Sequence, residues 1–113
     1  MKWIAVGVGA LVLGALLGTA LPVTAQSAPE IPLVIEKNRF QPDVIKVKAG
    51  QSFVLVITNK NPKAAEFESK DLRVEKVVPA GKTVNVRIRA LKPGSYAFFD
   101  DFNKAATGRI VAE

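Results

Sequence analysis

The chain has 113 residues, 16 Lys and Arg against 10 Asp and Glu, a formal charge of +6, and neither Cys nor His. That excludes disulfides, thiolate chemistry and iron–sulfur ligation, and removes imidazole as a base or metal ligand. Met1 is the only methionine, so carboxylates, Asn, Tyr and backbone carbonyls are the ligands left.

Lys2 is followed by an uncharged run from Trp3 to Leu21 and a small-residue exit at Val23-Thr24-Ala25. A basic start, an apolar run and such an exit predict a secretory signal peptide over residues 1–25. An uncleaved membrane anchor is the alternative. Cleavage would place the protein in the periplasm or outside the cell, and one domain is expected over residues 31–113.

Ile31 to Glu36 reads as a first strand, with Pro32 at its edge or start. Lys37-Asn38-Arg39 is a turn. Phe40 opens a segment running to Gly50 in which Ile45 and Val47 alternate with Lys46 and Lys48, the pattern of a half-buried strand. Ser52 to Thr58 is apolar on both faces and predicts a central strand. Asn59 is expected to hold the following turn by bonding nearby backbone.

Ala65 to Ser69 is short and extended, with Phe67 opposed to Glu66 and Glu68. Leu72 to Val78 returns with alternation. Lys82 to Arg89 is the cleanest strand, with Val84, Val86 and Ile88 inward. Pro93-Gly94 turns the chain into Ser95 to Asp100, where Tyr96, Phe98 and Asp100 share one face. Gly108 to Ala112 closes it. The expectation is an all-β sandwich of seven or eight strands.

Two segments are distinctive. Phe40-x-Pro42-x-x-Ile45-x-Val47-x-Ala49-Gly50, followed by Phe53-x-Leu55-x-Ile57-x-Asn59, resembles the first half of a cupredoxin. Leu91-x-Pro93-Gly94-x-Tyr96-x-Phe98, followed by Gly108-x-Ile110-Val111, resembles the second half. The resemblance implies a cupredoxin-like Greek-key β-sandwich. It also implies where blue-copper ligands would fall: the first His near Glu66, the Cys at Asp100, the second His near Asn103 and the Met near Ala106. None of those ligands is retained, so no type I copper centre is expected.

Glu66-Phe67-Glu68-Ser69-x-x-Leu72-x-x-Glu75-Lys76-x-Val78, with Tyr96-x-Phe98-Phe99-Asp100-Asp101-Phe102, is similar to a subgroup of periplasmic cupredoxin-like proteins associated with high-affinity iron permeases. That resemblance implies a role in iron uptake, by delivery or oxidation, beside an inner-membrane permease or another periplasmic component. Whether the chain turns over as an enzyme stays open, because an oxidase also needs an electron acceptor.

The acidic residues support a cation site on their own. Six of them, Glu66, Glu68, Asp71, Glu75, Asp100 and Asp101, lie in two short segments. Glu66 and Asp100 lead as metal ligands, with Glu68 and Asp101 behind them. Glu75, Phe102 and Asn103 are candidates for support or docking. Hard oxygen ligands suit Fe3+, Mn2+, Ca2+ or Mg2+ and take Cu2+ or Fe2+ weakly; iron or copper is the expected metal. The competing reading pairs these carboxylates with Lys70, Arg73, Lys76, Arg87 or Arg89 as surface salt bridges. A metal-free interaction domain docking through Phe102 on a membrane or periplasmic complex is the alternative function. A homodimer could complete a coordination shell. Lys46, Lys48, Arg87 and Arg89 form an outward basic set. With a signal peptide in front, no nucleic acid is expected, and an anionic membrane or acidic partner fits better.

Overall fold

The computed structural model describes residues 27–113. The expected signal peptide lies outside the described residues. Nine strands follow in order: β1 (Glu30–Glu36), β2 (Arg39–Gln41), β3 (Val44–Val47), β4 (Phe53–Asn59), β5 (Ala65–Ser69), β6 (Val74–Val78), β7 (Thr83–Ile88), β8 (Gly94–Asp100) and β9 (Asn103–Ala112). They form a four-stranded sheet ordered β2-β1-β4-β7 and a five-stranded sheet ordered β3-β9-β8-β5-β6. This is the expected all-β Greek-key sandwich. Among the described residues no helix is long and apolar enough to cross a membrane.

The ninth strand comes from the segment Phe40 to Gly50, which reads as one strand in sequence. Pro42 has no N–H to give a ladder, and the chain leaves one sheet for the other at Pro42-Asp43. β2 pairs with β1, whereas β3 runs parallel to β9. The last strand also starts five residues earlier than Gly108. The two-residue turn Asp101-Phe102 lets the chain pair again at once, with Asn103 opposite Asp100.

Alternation builds the core. Along β4, Phe53, Leu55, Ile57 and Asn59 are buried while Val54, Val56 and Thr58 are half-buried on the outer face. β4 lies between β1 and β7, as its two-sided apolar pattern requires. Phe40 from the four-stranded sheet meets Phe67 and Phe98 from the five-stranded one. Phe40 stands edge-on to both, with centroids 6.2 and 4.9 Å away, and Phe67 tilts against Phe98 at 5.1 Å. Such contacts contribute about 0.5–1.5 kcal/mol each beyond area burial. The buried apolar core runs from Leu33 to Ala112. Among the described residues this core joins the two sheets.

Asn59 is fully buried and its role extends beyond its own turn. Its Nδ2 donates to the Lys63 and Val78 carbonyls at 2.8 and 2.9 Å, and its Oδ1 accepts from the Asn61 amide at 2.9 Å. One side chain thus ties the β4–β5 loop to β6. Lys46 lies on β3 and Arg87 on β7, in different sheets, so the basic residues grouped in sequence do not form a single stripe.

Gly108 sets the close approach of β9 to the core. A Cβ there would come within 2.4 Å of the Phe98 ring and 2.8 Å of the Asp43 carbonyl. Gly108→Ala is expected to cost about 1–3 kcal/mol through overpacking, read as a lower chemical-denaturation midpoint with an unchanged slope.

Candidate metal site

The site is assembled on the outer face of the five-stranded sheet. In β5, Ala65, Phe67 and Ser69 are buried, so Glu66 and Glu68 point outward and are half-buried. Across the β5–β6 ladder, Glu68 faces Glu75 and Glu66 faces Val77. On the other side Glu68 faces Phe99, and the Asp101 amide donates to the Glu66 carbonyl at 2.9 Å. One carboxylate oxygen from each of Glu66, Glu68 and Asp101 lies within 4.8 Å of the others. Glu75 adds a fourth negative group on the same face.

The chain offers these groups little neutralisation. Among the described residues the one ion pair is Lys104 Nζ to Asp101 at 3.7 Å, with the lysine side chain 75% exposed. Pairing by Lys70, Arg73, Lys76, Arg87 or Arg89, the competing reading of the sequence, is absent among the described residues. Like charges directly opposite on a ladder destabilise it, and here Glu68 faces Glu75. The Glu66 carboxyl is held above the ordinary glutamate range. Partial desolvation is the first cause, followed by the charge of Glu75, a hydrogen bond shared with Asp101 and the charges of Asp101 and Glu68.

Asp100 stands apart from this trio. It is 3% exposed, and its Oδ1 accepts from the Glu66 and Phe102 amides, both at 2.9 Å. Sequence placed Asp100 beside Glu66. The structure brings it to the Glu66 backbone, on the inner side of the strand, because β8 alternation sends Asp100 inward and leaves Asp101 free at the turn. Asp100 and Asn103 line a depression of about 240 Å³ at the end of the sandwich, with Asn61 and Lys63. Ala106 is buried in the core. Glu66, Asp100, Asn103 and Ala106 thus occupy the outer face, the end depression and the core, and offer no soft ligand. These residues do not fit a type I copper ion.

Phe102 is 56% exposed at the β8–β9 turn, and Val77 is 45% exposed beside Glu66. Two polar residues of the acidic segment, to which the sequence assigned no individual role, prove structural. Ser69 Oγ donates to the Ala97 carbonyl at 2.7 Å and accepts from the Leu72 amide at 3.1 Å, while Asp71 Oδ2 accepts from the Ala97 amide at 2.9 Å. Asp71 is therefore occupied in holding β8 against the β5–β6 turn. A Ser-x-Asp at a strand end is the only sequence signal for it.

A carboxyl whose folded pKa is raised binds its proton more tightly in the folded chain. Stability is then lost as pH rises from the ordinary glutamate value through the raised one. In chelator, Glu66→Gln is expected to remove that loss, giving a flatter pH profile of thermal unfolding and a higher midpoint at neutral pH. Asp100→Ala acts oppositely: it leaves two amides without their acceptor and is expected to cost about 2–3 kcal/mol, measured by denaturant unfolding.

Comparison with known proteins places this geometry. The family model for the cupredoxin-like domain matches residues 9–112. The uncharacterized protein RP394 of Rickettsia prowazekii (strain Madrid E) is 35% identical over 83 residues, which cover 73% of this chain and 66% of that protein, just under two thirds of its length. Auracyanin A, a blue copper protein of Chloroflexus aurantiacus, superposes with a TM-score of 0.66 at 14% identity, covering 77% of this chain and all of that one. The metal-binding domain of the Cu(I)-exporting P-type ATPase CopA of Streptococcus pneumoniae D39 gives 0.65 at 14% identity, over 74% of this chain and 84% of that chain. At these identities the two structures share the fold alone. Matched over nearly its whole length, the chain belongs to the cupredoxin-like domain family.

Proposed function

We propose that this domain binds a hard metal ion through Glu66, Glu68 and Asp101, and that it serves iron uptake in the periplasm, delivering iron to a membrane permease or assisting its oxidation. The observation that carries the reading is the trio of carboxylate oxygens within 4.8 Å of one another. Empty, the cluster is repulsive, and a cation relieves that repulsion. Oxygen ligands favour Fe3+ over Fe2+ and suit Mn2+, which lowers the potential of bound iron and eases its oxidation. Copper is named for both solved relatives. This chain has no Cys or His, so copper would bind here only as a weakly held oxygen-ligated ion. The iron-permease setting is supported by the two segments Glu66 to Val78 and Pro93 to Phe102, which resemble that subgroup.

Calorimetric titration of the purified protein with Fe2+, Fe3+, Mn2+ and Cu2+ tests the site. Glu66→Ala/Asp101→Ala is expected to lower affinity for the hard ions at least about tenfold. Asp100→Asn, which keeps an oxygen acceptor in the clamp, is expected to leave affinity within about twofold. Equal loss in both variants would move the site to the end depression, and no binding of any ion would remove it. Ligands must be deprotonated to bind, so affinity is also expected to fall as pH drops through the raised Glu66 pKa, and to do so less steeply in Glu66→Gln.

A further inference from the structure

The end of the sandwich away from residues 27 and 113 concentrates positive charge. The Lys37-Asn38 turn, the Lys60 to Ala64 loop, the Pro79 to Lys82 loop and the Asp101-Phe102 turn all meet there. The Lys60 amide donates to the Ile35 carbonyl at 2.7 Å, the Gly81 amide to the Asn59 carbonyl at 2.8 Å, and the Asn38 amide to Asn61 Oδ1 at 3.4 Å. Lys37, Lys60, Lys63, Lys82 and Lys104 are all exposed on these loops or beside them. Lys37, Lys60 and Lys63 line one open depression of about 430 Å³. A neighbouring one, sharing Asn38, Asn61 and Lys63 with it, is bordered by Phe102.

Opposing charge at this end comes from Glu36, Asp100 and Asp101. Glu36 lies in the same depression as Lys37, Lys60 and Lys63 and has no ion pair among the described residues, with Arg39 or any other group. Asp100 is buried with two amides on one oxygen, and Asp101 is the partner of Lys104. Among the described residues Lys37, Lys60, Lys63 and Lys82 have no ion-pair partner. Phe102 borders the depression that Lys63 also lines and exposes more than half of its surface, in a turn fixed by the Asp100 clamp.

We propose that this loop end is a docking surface for an anionic lipid bilayer, with the lysines on the headgroups and Phe102 entering the boundary with the acyl chains. Charge complementarity and the exposed ring of Phe102 argue for a lipid surface over an acidic protein. Lysine is a compact, flexible point charge without the planar fork that shaped carboxylate pairs favour. A spread of such charges around one aromatic matches a continuous anionic layer. The proposal is independent of the metal reading: neither the four unpaired lysines nor Phe102 belongs to the carboxylate trio.

The test uses residues 27–113, which form both sheets and the core between them, so that the apolar N-terminal segment cannot contribute, and it is run in chelator. Co-sedimentation at low salt should show binding to vesicles of mixed phosphatidylglycerol and phosphatidylcholine and none to phosphatidylcholine alone. Lys60→Ala/Lys63→Ala should weaken binding about fivefold per lysine, and Phe102→Ala about tenfold. Lys46→Ala/Lys48→Ala, on β3 and just after it, should change it less than about twofold. Trp3 is the only tryptophan of the chain, so Phe102→Trp gives this domain a single reporter whose emission should shift to the blue on anionic vesicles. No vesicle binding, equal loss in the Lys46/Lys48 variant, or an unshifted tryptophan would each overturn the proposal. Binding to polyglutamate without binding to vesicles would overturn it in favour of an acidic protein partner.

Discussion

One buried carboxylate holds the acidic face in place. Asp100 Oδ1 takes the amides of Glu66 and Phe102, and beside it the Asp101 amide bonds the Glu66 carbonyl. These contacts lock the start of β5 to the β8–β9 turn. They oblige the side chains of Glu66 and Asp101 to emerge on the same outer face, although 34 residues separate Asp100 from Glu66 in sequence. A charged acceptor makes stronger hydrogen bonds than a neutral one, which suits a position where a strand end and a tight turn must not slip. The same clamp holds the backbone of Phe102. Asp100 therefore acts through geometry, and the chemistry falls to its neighbours.

Around that clamp the molecule separates its charges. Glu66, Glu68, Glu75 and Asp101 crowd the β5–β6 side of one sheet, while lysines ring the adjacent loop end. The separation has an energetic meaning. Like charges at cross-strand positions oppose folding modestly, as Glu68 opposite Glu75 does here, and the Glu66 carboxyl is raised first by desolvation and then by its acidic neighbours. Had Lys70, Arg73 or Lys76 folded back onto these carboxylates, the face would be an ordinary set of solvated ion pairs. Instead the negative groups stay available to an outside cation. This chain has neither Cys nor His, so an ion on this face would be held by oxygen ligands.

Much of the architecture was legible from alternation. The two-sided β4, the clean inward set of β7 and the pairing of Phe67 against Glu66 and Glu68 all follow from a period of two. Pro42 was visible as well, but a single-strand reading across Phe40 to Gly50 overlooked that a residue without an N–H suits a change of sheet. The site was legible in composition and less so in detail. Glu66, Glu68 and Asp101 were in view. Choosing between Asp100 and Asp101 required knowing that β8 keeps strict alternation up to its last residue, so that the first Asp turns inward and the second is released at the turn. The family pattern, which puts a metal ligand at Asp100, pointed the other way. The absence of pairing by nearby Lys and Arg could not be read at all, because long side chains reach several partners from one backbone position.

The most direct measurement is paramagnetic broadening of backbone amide resonances by substoichiometric Mn2+. A hard ion on the carboxylate trio predicts broadening centred on Glu66, Glu68 and Asp101, extending across the ladder to Glu75 and Phe99, and abolished in Glu66→Ala/Asp101→Ala. Broadening centred instead on Asn61, Asp100 and Asn103, or spread evenly over the surface, would contradict it.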